Sequence, residues 1–218
     1  MKKTVIVAIA AVGLMSVVDG IISPGYFSKS VVKLFLFLLL PVVAGLGIKD
    51  FRKLFKAGDK RELLKSILLG LGVYALIVVA YIFLSPFLDL AGIRNMLETD
   101  IGVSRDNFII VAIYISLMNS LLEEFFFRGF IFLSLLENTT RIKAHIISAG
   151  LFAVYHVAIL RGWFNPIIFV LAMAGLFIGG IIFNLLNERN GNIISSWMVH
   201  IGANLAINTV GLIMFNII

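Results

Sequence analysis

Seven continuous apolar runs constrain this chain more than any other feature it contains. About twenty apolar residues of α-helix cross the hydrocarbon core of a bilayer. Inside that core every backbone N–H and C=O must be satisfied within a helix or a closed barrel. A barrel would show short alternating segments, whereas these runs are unbroken. The chain therefore reads as all-α, a polytopic transmembrane bundle of about seven spans (six to eight). Composition agrees, since 61% hydrophobic residues and a mean hydropathy of +1.07 exceed the roughly 45–50% apolar content of soluble domains.

The runs fall at about Thr4–Ile22, Val31–Ile48, Ser66–Leu88, Asn107–Glu137, Lys143–Leu160, Pro166–Asn187 and Ile193–Ile217. No linker-like stretch divides them, so residues 1–218 are expected to form one membrane domain. Its N-terminal helices occupy 1–106, and the helices rich in chemistry occupy 107–218. The first run could be a signal peptide, but no small-x-small site follows it, which favours a retained helix. The fourth run exceeds the bilayer core at 1.5 Å per residue, so it is expected to tilt, break or project.

A net charge of +6 invites a nucleic-acid reading. Much of it sits in one loop, Lys49–Lys65, which is better read as a topology signal and a contact for anionic membrane lipids. No nucleic-acid partner is expected. Placing that loop in the cytoplasm also puts Lys2, Lys3, Arg141, Lys143 and Arg189 there. Twelve basic residues then oppose five (Lys29, Lys33, Arg94, Arg105 and Arg161). The N-terminus is expected in the cytoplasm and the C-terminus outside. The absence of cysteine excludes disulfides, thiolate ligands and a cysteine nucleophile.

Ionised groups inside the fourth run demand a reason. Glu123, Glu124 and Arg128 stand in Leu-Leu-Glu-Glu-Phe-Phe-Phe-Arg, where each charge costs about 2.5–3.5 kcal/mol on insertion scales. Glu124 and Arg128 are four apart with the acid first, the favoured order for a pair. Glu123 lies about 100° around the helix and stays available as a general base on water. The plain alternative is that both acids only stitch helices together.

Two further runs bring His156 and His200. His156 could share a water with Glu123. His200 and Asn204 lie on one face and can donate hydrogen bonds to an oxyanion. Gly202 and Ala203 permit close backbone approach. Glu123, His156 and His200 are also a sufficient ligand set for zinc, and spacing does not separate the two. By these boundaries all three fall between the midplane and the cytoplasmic surface. Other features read as structure. Gly175 and Gly179 form a small-residue packing face, and Phe125–Phe127 contact lipid or core, or line a groove for an apolar tail. His145 sits at a surface helix start, and Asp19 lies near the outer surface without an assignable partner.

The sequence resembles the CPBP family of intramembrane proteases, which includes type II CAAX prenyl endopeptidases and bacteriocin-processing or immunity homologues. Three motifs carry the likeness in order: Glu123-Glu124-Phe-Phe-Phe-Arg128, Phe152-Ala-Val-Tyr-His156 and His200-Ile-Gly-Ala-Asn204. The resemblance implies a cavity open to the cytoplasm. It also implies Glu123 as the catalytic glutamate aided by His156, with His200 and Asn204 at the oxyanion. Members are described both as metalloproteases and as glutamate-dependent proteases. The small size favours a prokaryotic-type member in the cell membrane. Its substrate would be a peptide or protein with a C-terminal membrane-associated tail. The competing readings are a non-catalytic immunity or partner-binding protein and a proton-coupled transporter.

Overall fold

The computed structural model describes residues 2–44 and 51–218. The expected end of the second run and the start of the basic loop, residues 45–50, lie outside the described residues. All regular structure among the described residues is helical. In chain order the helices are α1 (Lys2–Ile22), α2 (Tyr26–Val43), the short α3 (Phe51–Leu54), α4 (Lys60–Phe87), the short α5 (Leu90–Met96), α6 (Phe108–Asn138), α7 (Arg141–Leu160), α8 (Pro166–Asn190) and α9 (Ile194–Met214). Seven of them are long and apolar enough to cross a membrane, as the runs require.

Helix ends follow local chemistry and not the edges of the apolar runs. The α4 helix starts at Lys60, six residues before its apolar run, because Asp59 accepts from the Glu62 N–H at 2.8 Å. Asn165 caps α8 by accepting from the Ile167 and Ile168 N–H groups, with Pro166 in the first turn. Gly191, at φ 64°, closes the same helix in the left-handed region. The long α6 neither breaks nor stops early. It widens to i→i+5 hydrogen bonding over Ile115–Asn119 and Glu124–Phe132, as α1 does over Val18–Ile22 and α2 over Phe35–Leu39.

The stretch of α6 that carries the charges is enclosed, with every residue from Glu123 to Phe132 buried. Phe125, Phe126 and Phe127 are buried, so core contact is the right reading of the triple phenylalanine. Phe126 stacks on Phe37 of α2 with ring centroids 4.1 Å apart, and Phe127 meets Phe152 and Tyr155 of α7. On the outside, α4 exposes Leu68, Leu71, Leu76 and Ile82, the apolar surface expected of a lipid-facing helix.

Small residues set the close crossings, partly where expected. A Cβ on Gly202 of α9 would overlap the backbone of Gly70 of α4, so these helices meet backbone to backbone. Gly175 and Gly179 instead face open space. Gly180 is the close contact, since a Cβ there would stand 3.0 Å from the Ala149 side chain of α7, so the packing face is shifted by one residue. His145 is likewise not a surface residue. It is buried, with Nε2 3.1 Å from Glu188 Oε2, because the first turn of α7 lies beside the last of α8.

Candidate active site

Helix α9 runs antiparallel to α6 and is held there by side-chain donors. Trp197 Nε1 donates to the Leu117 carbonyl, Asn204 Nδ2 to that of Ile115 and Asn208 Nδ2 to that of Ala112, each at 3.1 Å. Long amide and indole donors at successive turns fix the register, and this sets His200 level with the glutamates. Helix α7 brings His156 to the same place, and α2 brings Lys33.

Glu123 is divided between two environments. Its Oε1 accepts from Lys33 Nζ at 2.5 Å and from Asn119 Nδ2 at 3.0 Å, while Lys33 also donates to Asn119 Oδ1 at 2.5 Å. Its Oε2 faces His156 Nε2 at 4.0 Å and His200 Nε2 at 3.6 Å. His156 Nδ1 donates to the Phe152 carbonyl at 2.8 Å, which leaves Nε2 turned toward Glu123. A gap of 4.0 Å is too long for a hydrogen bond. It is close to the span that one bridging water covers with two bonds of about 2.8 Å.

Lys33 corrects the sequence reading. The charge count places it with the outer cations, yet it is buried and its ammonium lies over the Tyr155 ring at 4.9 Å. The residue belongs to a helix with no motif, and its partner is ninety positions away. Its signal was a lone lysine flanked by Val32 and Leu34, the same kind of intramembrane charge that drew attention to α6. Asp19 also gains a partner, with Oδ1 3.6 Å from Lys29 Nζ.

Glu124 faces the other way, into the dry core. Its Oε1 takes Arg128 Nη1 at 3.3 Å and His200 Nδ1 at 2.8 Å. Both members of the Arg128 pair are fully enclosed. The guanidinium lies between the rings of Phe152 (4.1 Å) and Phe183 (4.8 Å), where cation–π attraction replaces part of its hydration. Glu124 is therefore more than half of a structural pair, because it also orients His200.

A cavity of about 870 Å³ reaches Glu123, His156, His200 and Asn204. Its walls also include Asp19, Ser23, Lys29, Thr99, Asp100, Arg161 and Trp163, which lie at the end of the bundle away from α3 and the start of α4. Two expectations thus point to opposite faces. Basic residues place the Lys49–Lys65 loop in the cytoplasm, whereas the resemblance implies a cytoplasmic mouth. The expected common depth on the loop side also fails for His156. It stands one turn from Leu160, and α7 enters from the loop end at Arg141, so its late residues approach the opposite face.

Zinc was a candidate on the same side chains. Ligands 2.0–2.2 Å from one tetrahedral ion stand roughly 3.4 Å apart, less than the 3.6 and 4.0 Å found from Glu123 Oε2. The positive partner of Glu123 is already Lys33. Among the described residues no group of three His, Asp or Glu side chains is gathered closely enough, as placed, to hold an ion.

Residues 105–206 match the family model of the Rce1-like type II CAAX prenyl endopeptidases. They are a CPBP-family domain. The matched segment holds Glu123, Glu124, Arg128, His156, His200 and Asn204. It excludes α1–α5, so Lys33 reaches the site from outside it. No curated protein and no solved structure matches the chain. Seven helices long and apolar enough to cross a membrane make this a multi-pass membrane protein, and residues 105–206 within it are similar to the intramembrane CAAX-type proteases.

Proposed function

We propose that this CPBP-family chain is a glutamate-type intramembrane endopeptidase acting on a membrane-associated or lipid-tailed peptide, as a prokaryotic-type member. The observation that carries the reading is the division of Glu123, with one oxygen anchored by Lys33 and Asn119 and the other turned to the cavity.

A water between Glu123 Oε2 and His156 Nε2 attacks the scissile carbonyl carbon as Oε2 takes its proton. The C=O bond opens to an oxyanion. When the intermediate collapses, the C–N bond breaks and the proton on Glu123 passes to the departing amine. Lys33 and Asn119 act by holding Oε1, which fixes the direction in which Oε2 points. With Nδ1 held by Glu124, His200 presents Nε2 to the oxyanion. Asn204 has one N–H on the Ile115 carbonyl and its second left for the oxyanion. The counter-charge of Lys33 and the spacing of the donors favour carboxylate-activated water over a zinc mechanism.

The test compares membrane peptides by mass spectrometry from cells carrying the protein or its Glu123→Gln variant. A cleaved tail that appears only with the wild-type protein is expected. Identical peptide pools would instead make the chain a scaffold or immunity factor. One tightly held zinc per active chain, lost in both His156→Ala and His200→Ala, would overturn the glutamate mechanism.

A further inference from the structure

The charge pattern and the cavity settle on opposite ends of the bundle. The basic end is one place in space as well as in sequence. Arg141 pairs with Glu188 at 2.6 Å, Arg189 reaches Glu62 at 3.8 Å, and the Ile193 N–H donates to the Leu54 carbonyl at 3.0 Å. These contacts gather α3 and the adjoining termini of α4, α7, α8 and α9 on one face. With Lys33 drawn into the bundle, the imbalance sharpens. Lys2, Lys3, the basic residues of Lys49–Lys65, Arg141, Lys143 and Arg189 stand against only Lys29, Arg94, Arg105 and Arg161. Lysine and arginine in short loops are retained in the cytoplasm. The connections concerned are all short.

We infer that the cavity opens away from the cytoplasm and receives its ligand from the extracytoplasmic face. The mouth is formed by the α1–α2 turn at Ser23, by Thr99 and Asp100, and by Arg161 and Trp163 of the α7–α8 turn. Its volume lies within the roughly 300–1,000 Å³ of ligand pockets. Acids and bases are mixed around it, so it admits water from that face to Glu123. Resting on the proteolytic reading, the ligand class is then a peptide segment held at the outer leaflet, presented after or during its passage across the membrane. A peptide anchored on the cytoplasmic leaflet would meet the opposite end of the bundle, where Arg141, Arg189 and Lys53 lie.

The chain has no cysteine, so single cysteines report topology without background. Thr99→Cys and Arg161→Cys mark the mouth, and Ala57→Cys marks the basic loop; all three positions are exposed. Intact cells expressing each variant are treated with a membrane-impermeant charged maleimide, then permeabilised and treated again. Labelling of both mouth variants in intact cells, and of Ala57→Cys only after permeabilisation, is expected. The reverse pattern, or equal labelling of loop and mouth in intact cells, overturns the inference. The two mouth probes guard against one misfolding. Labelling does not depend on turnover, so identical peptide pools for wild type and Glu123→Gln would sink the proteolytic reading while leaving this result unchanged.

Discussion

The two faces of α6 at Glu123 and Glu124 carry adjacent residues of one type with opposite surroundings. On the wet face, Glu123 meets a lysine from another helix and keeps one oxygen toward the cavity. On the dry face, Glu124 meets an arginine of its own helix between two phenylalanine rings, and its useful oxygen is spent on His200. Both charges are compensated, but only one remains available. A buried ion pair alone therefore says little about chemistry. What distinguishes the reacting carboxylate is an oxygen that its counter-ion leaves free and that water can reach.

The largest expected effect strikes the wet face. Glu123→Gln should lower turnover by roughly 10²–10⁴-fold, the loss of a general base, with a fall in detergent melting no larger than that of Lys33→Met, because the amide oxygen still accepts from Lys33. Cleavage near the wild-type rate by a well-expressed variant would erase the difference between the faces.

The dry face should answer in stability first. Arg128→Ala leaves Glu124 enclosed without its cation, and a loss of about 3–5 kcal/mol is expected, read as a fall in melting temperature. Replacing both, as Glu124→Leu with Arg128→Met, should recover part of that stability but not turnover, because His200 loses its Nδ1 partner. A double variant that cleaves normally would show that Glu124 has no part in orienting His200.

Lys33→Met should fall between these. Its carboxylate partner borders a cavity that water enters, so the stability loss should be smaller, about 1–3 kcal/mol. Turnover should drop without a matching rise in KM, since the geometry of Glu123 changes and the mouth does not. Lys33→Arg should restore part of the rate by returning a cation to Oε1. If Lys33→Met alters KM alone, the lysine binds substrate and does not position Glu123.

Asn204→Ala is expected to have the smallest effect. One of its N–H bonds already holds α9 to the Ile115 carbonyl. Its loss should therefore fall below the roughly 10²–10³-fold seen for a dedicated oxyanion donor. A larger loss with unchanged melting would promote Asn204 to the principal donor.

The sequence by itself determined the class of solvent, the helical architecture and the family, because each is written in local terms. Twenty apolar residues either cross a bilayer or do not, and the cost of a charge inside one run is paid by that run. The three motifs are local too, which is why Glu123, Glu124, Arg128, His156, His200 and Asn204 were legible and are found together. Only the tertiary structure decided which oxygen of Glu123 is free, that Glu124 serves His200, that Lys33 is the counter-ion, and at which end the cavity opens. Those depend on rotation and register between helices that are far apart in the chain. Such relations are set by aromatic packing on α6, by the close crossing at Gly70 and Gly202, and by the amide donors of α9. The small-residue face shows the limit plainly: the motif at Gly175 and Gly179 was visible, but a one-residue rotation of α8 makes Gly180 the contact.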